Sequence, residues 1–97
     1  MRKLEPIKVN NIKLSYKQEL VLKVLADEFA GSAFGPEMLE CCESEELKKL
    51  SINELTWAML RLRDNSLVES HKTSYKGRIL NKYTLTHYAI YGVLENN

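Results

Sequence analysis

Apolar and polar positions alternate in four distinct ways along this chain, and each predicts an element. The segment LEPIKVNNIKLS alternates on either side of Asn10-Asn11, with Ile7 and Val9 before the pair and Ile12 and Leu14 after it. Asn tolerates positive φ, so a two-residue hairpin turn is allowed there; an extended arm packed on the domain is the other reading. A helical period follows, with Leu20, Val21, Val24, Leu25 and Phe29 on one side of YKQELVLKVLADEFA. Ser15 predicts its N-cap, with Glu19 one turn on, and Gly31 its end. Pro36 suits a first helical turn, and Met38, Leu39, Cys42, Leu47 and Leu50 give one long helix or two short ones broken near Ser44.

The back half has the sharpest pattern. Ser51 and Glu54 form the serine-x-x-glutamate capping box, and Leu55, Ala58, Met59 and Leu62 follow at i, i+3, i+4 and i+7. That helix runs to about Asp64 and is closed by Asn65-Ser66. Leu67-Val68 begins a strand, and Thr73, Ser74, Lys76 and Gly77 mark a polar loop around Tyr75. A second strand spans 78–85, with Tyr83 and Leu85 on one face. Thr86 caps a last helix carrying Ala89, Ile90, Val93 and Leu94. Residues 1–14 are thus an arm or hairpin, and residues 15–97 one domain. The fold class expected is mainly α with a small β-hairpin wing, a winged helix-turn-helix.

The segments RLRDNSLVESHK and GRILNKYTLTHYA resemble the MarR-like and PadR-like winged-helix regulators. Leu62, Leu67-Val68, Tyr83 and Leu85-Thr86 stand where those families carry a recognition-helix leucine, an apolar pair, and an aromatic residue with Leu-Thr closing the wing. Ser66 departs from the glycine usual there, and Ala89 from the glycine that often follows Leu-Thr. The chain ends about one short helix past the wing, where such relatives continue into a long dimer-forming helix. The expectation is that this route to a dimer is missing or shortened and that no small-molecule effector region is present.

The resemblance implies double-stranded DNA as partner, with residues 51–65 in the major groove and wing residues 71–79 on backbone or minor groove. With the apolar stripe facing the core, Asn53, Glu54, Thr56, Trp57, Leu60, Arg61 and Asp64 face outward. Asn53 and Arg61 suit base edges, and Thr56 suits a phosphate or a thymine methyl. Trp57 has three readings: covered by the arm or another element, a dimer or partner contact, or a wedge against nucleic acid. Lys72, Lys76, Arg78 and Lys82 put four cations on the wing with no acid between His71 and Tyr83. They can neutralise phosphates, or simply keep a hairpin from pairing at its edge. The DNA-contact set is therefore Asn53, Thr56, Trp57, Arg61, Lys72, Lys76 and Arg78. The alternative is a protein-interaction module that docks through Trp57 and Leu60, or a homodimer.

Composition changes this picture little. A 97-residue chain supports one core, and 44% hydrophobic with 28% charged residues is ordinary for a globular protein. Net charge of +1 gives no general attraction to nucleic acid, so the case rests on local charge: Arg2, Lys3, Lys8 and Lys13 against Glu5 in the arm, and the wing. Glu43, Glu45 and Glu46 form an acidic solvated face. Adjacent Cys41 and Cys42 read as small apolar residues, since vicinal cysteines strain to bridge and no metal-ligand spacing joins them to His71 or His87. No apolar run spans a membrane and no signal region follows Met1, so a cytoplasmic location is expected. Neither a phosphate loop nor a nucleophile-base constellation is present, so no enzyme activity and no cofactor are expected.

Overall fold

The computed structural model describes residues 8–9 and 12–94 of the chain. It opens on two short antiparallel strands, β1 (Lys8–Val9) and β2 (Ile12–Lys13), in the register Val9 opposite Ile12. The arm therefore turns back as a hairpin. The Asn10-Asn11 pair expected at its turn, and the basic residues at 2 and 3, lie outside the described residues.

Helix α1 (Tyr16–Glu28) starts immediately after Ser15, whose backbone is extended (φ −76°, ψ 169°). The Ser15 hydroxyl accepts the Gln18 amide, and the Gln18 side chain accepts the Ser15 amide. The box partner is thus Gln18 rather than Glu19, because the third helical position is the one that can reach back. Buried Val21, Leu22, Val24 and Leu25 form the inner stripe. Ala30 (φ 55°) and Gly31 (φ 88°) then turn the chain, with the Gly31 amide on the Leu25 carbonyl at 2.8 Å.

A short strand that the sequence pattern did not reveal follows, β3 (Ser32–Phe34). Helix α2 (Gly35–Cys41) begins on Pro36, and a Ser44-capped turn, α3 (Glu45–Lys48), completes the region as two short helices broken at Ser44. Cys42 is buried and Cys41 exposed; both are free thiols. Burial pushes the Cys42 thiol up, which keeps it protonated and apolar in character. The acidic residues here are exposed but not idle. Glu28 accepts the Glu43 amide at 2.6 Å, and the Glu46 carboxylate near Tyr16 pushes the tyrosine hydroxyl's pKa up.

Helix α4 (Ile52–Asp64) has the expected capping box of Ser51 and Glu54 and buries Leu55, Ala58, Met59 and Leu62. Strands β4 (Val68–Tyr75) and β5 (Arg78–Leu85) pair antiparallel over their full length, from Val68 opposite Leu85 to Tyr75 opposite Arg78. The loop expected around Tyr75 narrows to Lys76-Gly77, both at positive φ (51° and 82°), as a tight two-residue hairpin turn requires. Thr73 and Ser74 belong to the strand. The sheet order is β3-β5-β4, with Ser32 directly opposite Thr84 and their hydroxyls 3.0 Å apart. A last helical segment, Tyr88–Leu94, is wound as a π-helix, and its first turn is capped by Thr86, whose hydroxyl accepts the Ala89 amide at 3.1 Å. No helix among the described residues is long and apolar enough to cross a membrane.

Four helices and the sheet close on one core. Leu22 and Leu25 of α1, Met38 of α2, Leu47 of α3, and Leu55, Met59 and Leu62 of α4 are all fully buried in it. Each such side chain contributes roughly 1.5–3 kcal/mol by leaving water. This is the winged helix-turn-helix order expected from the sequence, with β3 as an added third strand.

The end of α4 is a Schellman turn. The Leu67 amide donates to the Leu62 carbonyl at 2.9 Å and the Ser66 amide to the Arg63 carbonyl at 2.9 Å, while Leu62 and Leu67 are both fully buried. Ser66 holds the left-handed position at φ 64°, where a side chain is strained by about 1–2 kcal/mol and glycine is not. Glycine loses roughly 0.5–1 kcal/mol more chain entropy on folding, which offsets part of that gain. Ser66→Gly should therefore raise unfolding stability by about 0.5–1 kcal/mol, read as a higher urea midpoint at unchanged slope.

Candidate nucleic-acid interface

The outward surface of α4 and the hairpin β4-β5 stand side by side, and the groove between them is where the expected contact residues meet. A cavity of about 270 Å³ is lined by Ile52 and Thr56 of α4, Gly35 and Pro36 of α2, and Arg78, Leu80 and Asn81 of β5. Thr56 and Arg78, distant in sequence, are brought together there. Helix α2 abuts the start of α4 at Gly35, where a Cβ would make only ordinary contacts with the Ile52 and Leu55 side chains at 3.5 and 3.7 Å.

A second groove, of about 310 Å³, lies on the other flank of α4 against the start of α1. Ser15, Lys17, Gln18, Glu54, Trp57 and Arg61 line it. Trp57 is 65% exposed. Among the described residues no element covers it. Leu60 is half-buried, and Asn53 and Arg61 are exposed. Asn53, Trp57 and Arg61 follow one another at i+4 spacing and so form a single ridge along the helix.

The charges around these grooves are partly committed. Lys17 of α1 meets Glu54 of α4 at 2.8 Å, and both side chains are about half exposed. Glu54, an outward-facing acid of α4 that would oppose a phosphate, is therefore screened by a cation from another helix, a partner the sequence pattern did not reveal. At the hairpin tip Lys76 reaches Glu40 of α2 at 3.5 Å and lies over the Tyr75 ring at 5.3 Å. Tyr75 packs on Phe34 with ring centres 4.6 Å apart, and Lys82 covers Phe34 from 5.7 Å. Two of the four wing cations are thus turned toward α2 and β3. Arg61, Lys72 and Arg78 form no ion pair among the described residues and are exposed. Arg63, which the sequence reading left out, extends from α4 toward Ser70 of β4 at 3.5 Å.

The described residues contain no group of three or more His, Cys, Asp or Glu side chains placed to hold a metal ion. His87 packs against the Tyr91 ring, with centres 5.4 Å apart.

No family model matches the chain, and no curated protein sequence matches it. Solved structures do. ZitR of Lactococcus lactis, a zinc-responsive MarR family member, superposes with a TM-score of 0.62 at 28% identity over 89% of this chain and 53% of its own. A mutant of the same protein gives a TM-score of 0.65 at 24% identity, over 89% and 52%. Stf76 from the Sulfolobus islandicus plasmid-virus pSSVx gives 0.56 at 21% identity, over 84% of this chain and 95% of that one. The chain spans about half the length of ZitR and nearly all of Stf76. These likenesses establish the winged helix-turn-helix fold.

Glu54 gives the site a pH signature. Lys17, and then the Ser51 amide, hold its carboxyl below the usual range. A group depressed on folding stabilises the fold above its unfolded value of about 4.3 and ceases to do so as pH falls through its folded value. The stability advantage of the wild type over Glu54→Gln should be constant from neutral pH down to about 5 and shrink toward zero below about 4. Urea denaturation of both proteins across that range measures it.

Proposed function

We propose that the chain is a DNA-binding transcriptional regulator whose α4 enters the major groove while the β4-β5 wing contacts backbone or minor groove. The convergence of Thr56 and Arg78 on one groove carries this reading. A helix residue suited to phosphate or a thymine methyl and a wing guanidinium with no ion partner among the described residues face the same space. The wing, with Lys72 and Arg78 unpaired, supplies the positive charge that the total of +1 does not. Fold alone does not assign function, so the weight lies on these side chains. The MarR family membership of ZitR agrees with the reading.

In this arrangement Asn53 and Arg61 address base edges from the α4 ridge. Lys76 is available to phosphate because its pair with Glu40 is exposed to solvent and so weakly held. The screened Glu54 does not repel the duplex as a free carboxylate would.

One observation favours a second reading. A tryptophan left 65% exposed is a common anchor of protein interfaces, so the Trp57 and Leu60 face could dock on a protein, another copy included. Titration of a labelled mixed-sequence duplex at low and moderate salt separates the two. The DNA reading expects affinity to fall steeply with salt, and expects Arg78→Ala to lower the salt slope by about one. Absence of duplex binding at low salt, together with self-association abolished by Trp57→Ala, would establish the protein-docking reading instead.

A further inference from the structure

We infer that Trp57 is a specificity-determining residue that reads the 5-methyl group of thymine in the major groove. The inference rests on the proposed docking of α4 and gives that docking a chemical preference.

Trp57 is the single tryptophan of the chain, and its ring projects from the α4 ridge between Asn53 and Arg61. It also borders the groove where Lys17 of α1 sits. Cations therefore stand at the margin of an exposed apolar surface: Arg61 on the same helix, and Lys17 beside it bound to Glu54. Such a setting suits an apolar contact embedded in a phosphate-lined groove. In a paired duplex the base faces are covered by stacking, so the indole cannot lie on them. What a major groove offers is a row of donors and acceptors, and one apolar group, the thymine C5-methyl.

The energetics then select. The apolar face of an indole set against a guanine, adenine or cytosine edge removes water from several polar groups, and the single Nε1–H can return at most one hydrogen bond, which is unfavourable. Set against a thymine methyl, it buries apolar area on both sides. Asn53 lies one turn earlier on the ridge and suits adenine, whose partner base carries that methyl. The ridge is thus suited to A·T steps through two different groups. The same chemistry exists in 5-methylcytosine, and deoxyuridine lacks it.

The test uses the full chain and four labelled duplexes: an A·T-rich one with thymine, the same sequence with deoxyuridine for thymine, and a G·C-rich one with and without 5-methylcytosine. Fluorescence anisotropy gives affinity, and the emission of Trp57 reports directly on its own environment. The wild type should bind the thymine duplex about three- to tenfold more tightly than the deoxyuridine duplex, the size expected for burying one methyl or two. The methylated G·C duplex should likewise exceed the unmethylated one. Trp57→Ala, which removes an exposed side chain and leaves the core intact, should bind with unchanged salt dependence and no methyl preference.

Equal affinity of the wild type for thymine and deoxyuridine duplexes would overturn the inference while leaving the DNA-binding reading in place. A methyl preference that survives in Trp57→Ala would overturn it as well, assigning the effect to duplex shape. No binding to any duplex at low salt would remove both readings together.

Discussion

The geometry of the surface shared by α4 and the hairpin depends on one junction, the turn from α4 into β4. There the Leu67 amide closes on the Leu62 carbonyl, both leucines are fully buried, and the Thr86 hydroxyl donates to the Ser66 carbonyl at 2.8 Å. The Thr86 amide donates to the Leu67 carbonyl at 3.1 Å, and its hydroxyl oxygen accepts the Ala89 amide. A single threonine thus ties the end of the helix, the base of the wing and the start of the last helix. The angle between α4 and the hairpin, and hence the width of the groove holding Thr56 and Arg78, follows from that clamp. A hairpin alone is marginal in water; its far end gains support from the ring contact of Tyr75 with Phe34.

That support has an electrostatic consequence. Lys76 and Lys82 are drawn toward α2 and β3 by Glu40 and by the aromatic faces, while Lys72 and Arg78 are left without acid partners among the described residues. The wing is therefore not a uniform basic finger. Its cations differ in what they must give up to meet a phosphate, and those with least to give up are on the strands rather than at the tip. The pair at the tip is weak enough to be exchanged, so it biases the wing toward the body without locking it there.

What the sequence made legible were local features. The N-cap at Ser15, the capping box at Ser51, the apolar stripe of α4 and the cap at Thr86 each depend on residues within one or two turns, and all stand in the structure. Strand β3 was not legible, because Ser32, Ala33 and Phe34 are too few to show alternation and become a strand only by pairing with Thr84, Tyr83 and Lys82. Thr73 and Ser74 read as loop for a related reason: a strand standing away from the core needs no apolar face, so polarity misplaces its end. At the site, the outward set on α4 followed from helical period. The partner of Glu54 did not, since Lys17 lies on another helix.

Trp57 shows where periodicity stops being informative. Its angular position on α4 identifies it as pointing away from the core, and a large apolar residue in that position is commonly covered by something else. Coverage is a tertiary property, and the structure leaves the ring 65% exposed. An exposed indole costs solvation that a polar residue would not, so its presence amid Asn53, Arg61 and Lys17 asks for a partner combining charge with a small apolar feature. A flat protein surface supplies apolar area, but it does not account for the flanking cations and for Arg78 across the helix. The duplex proposed above would supply both: phosphates for Lys17 and Arg78, base edges for Asn53 and Arg61, and a methyl for the ring. The same residue that weakens a purely electrostatic account of binding therefore gives the surface a means of preferring one base over another.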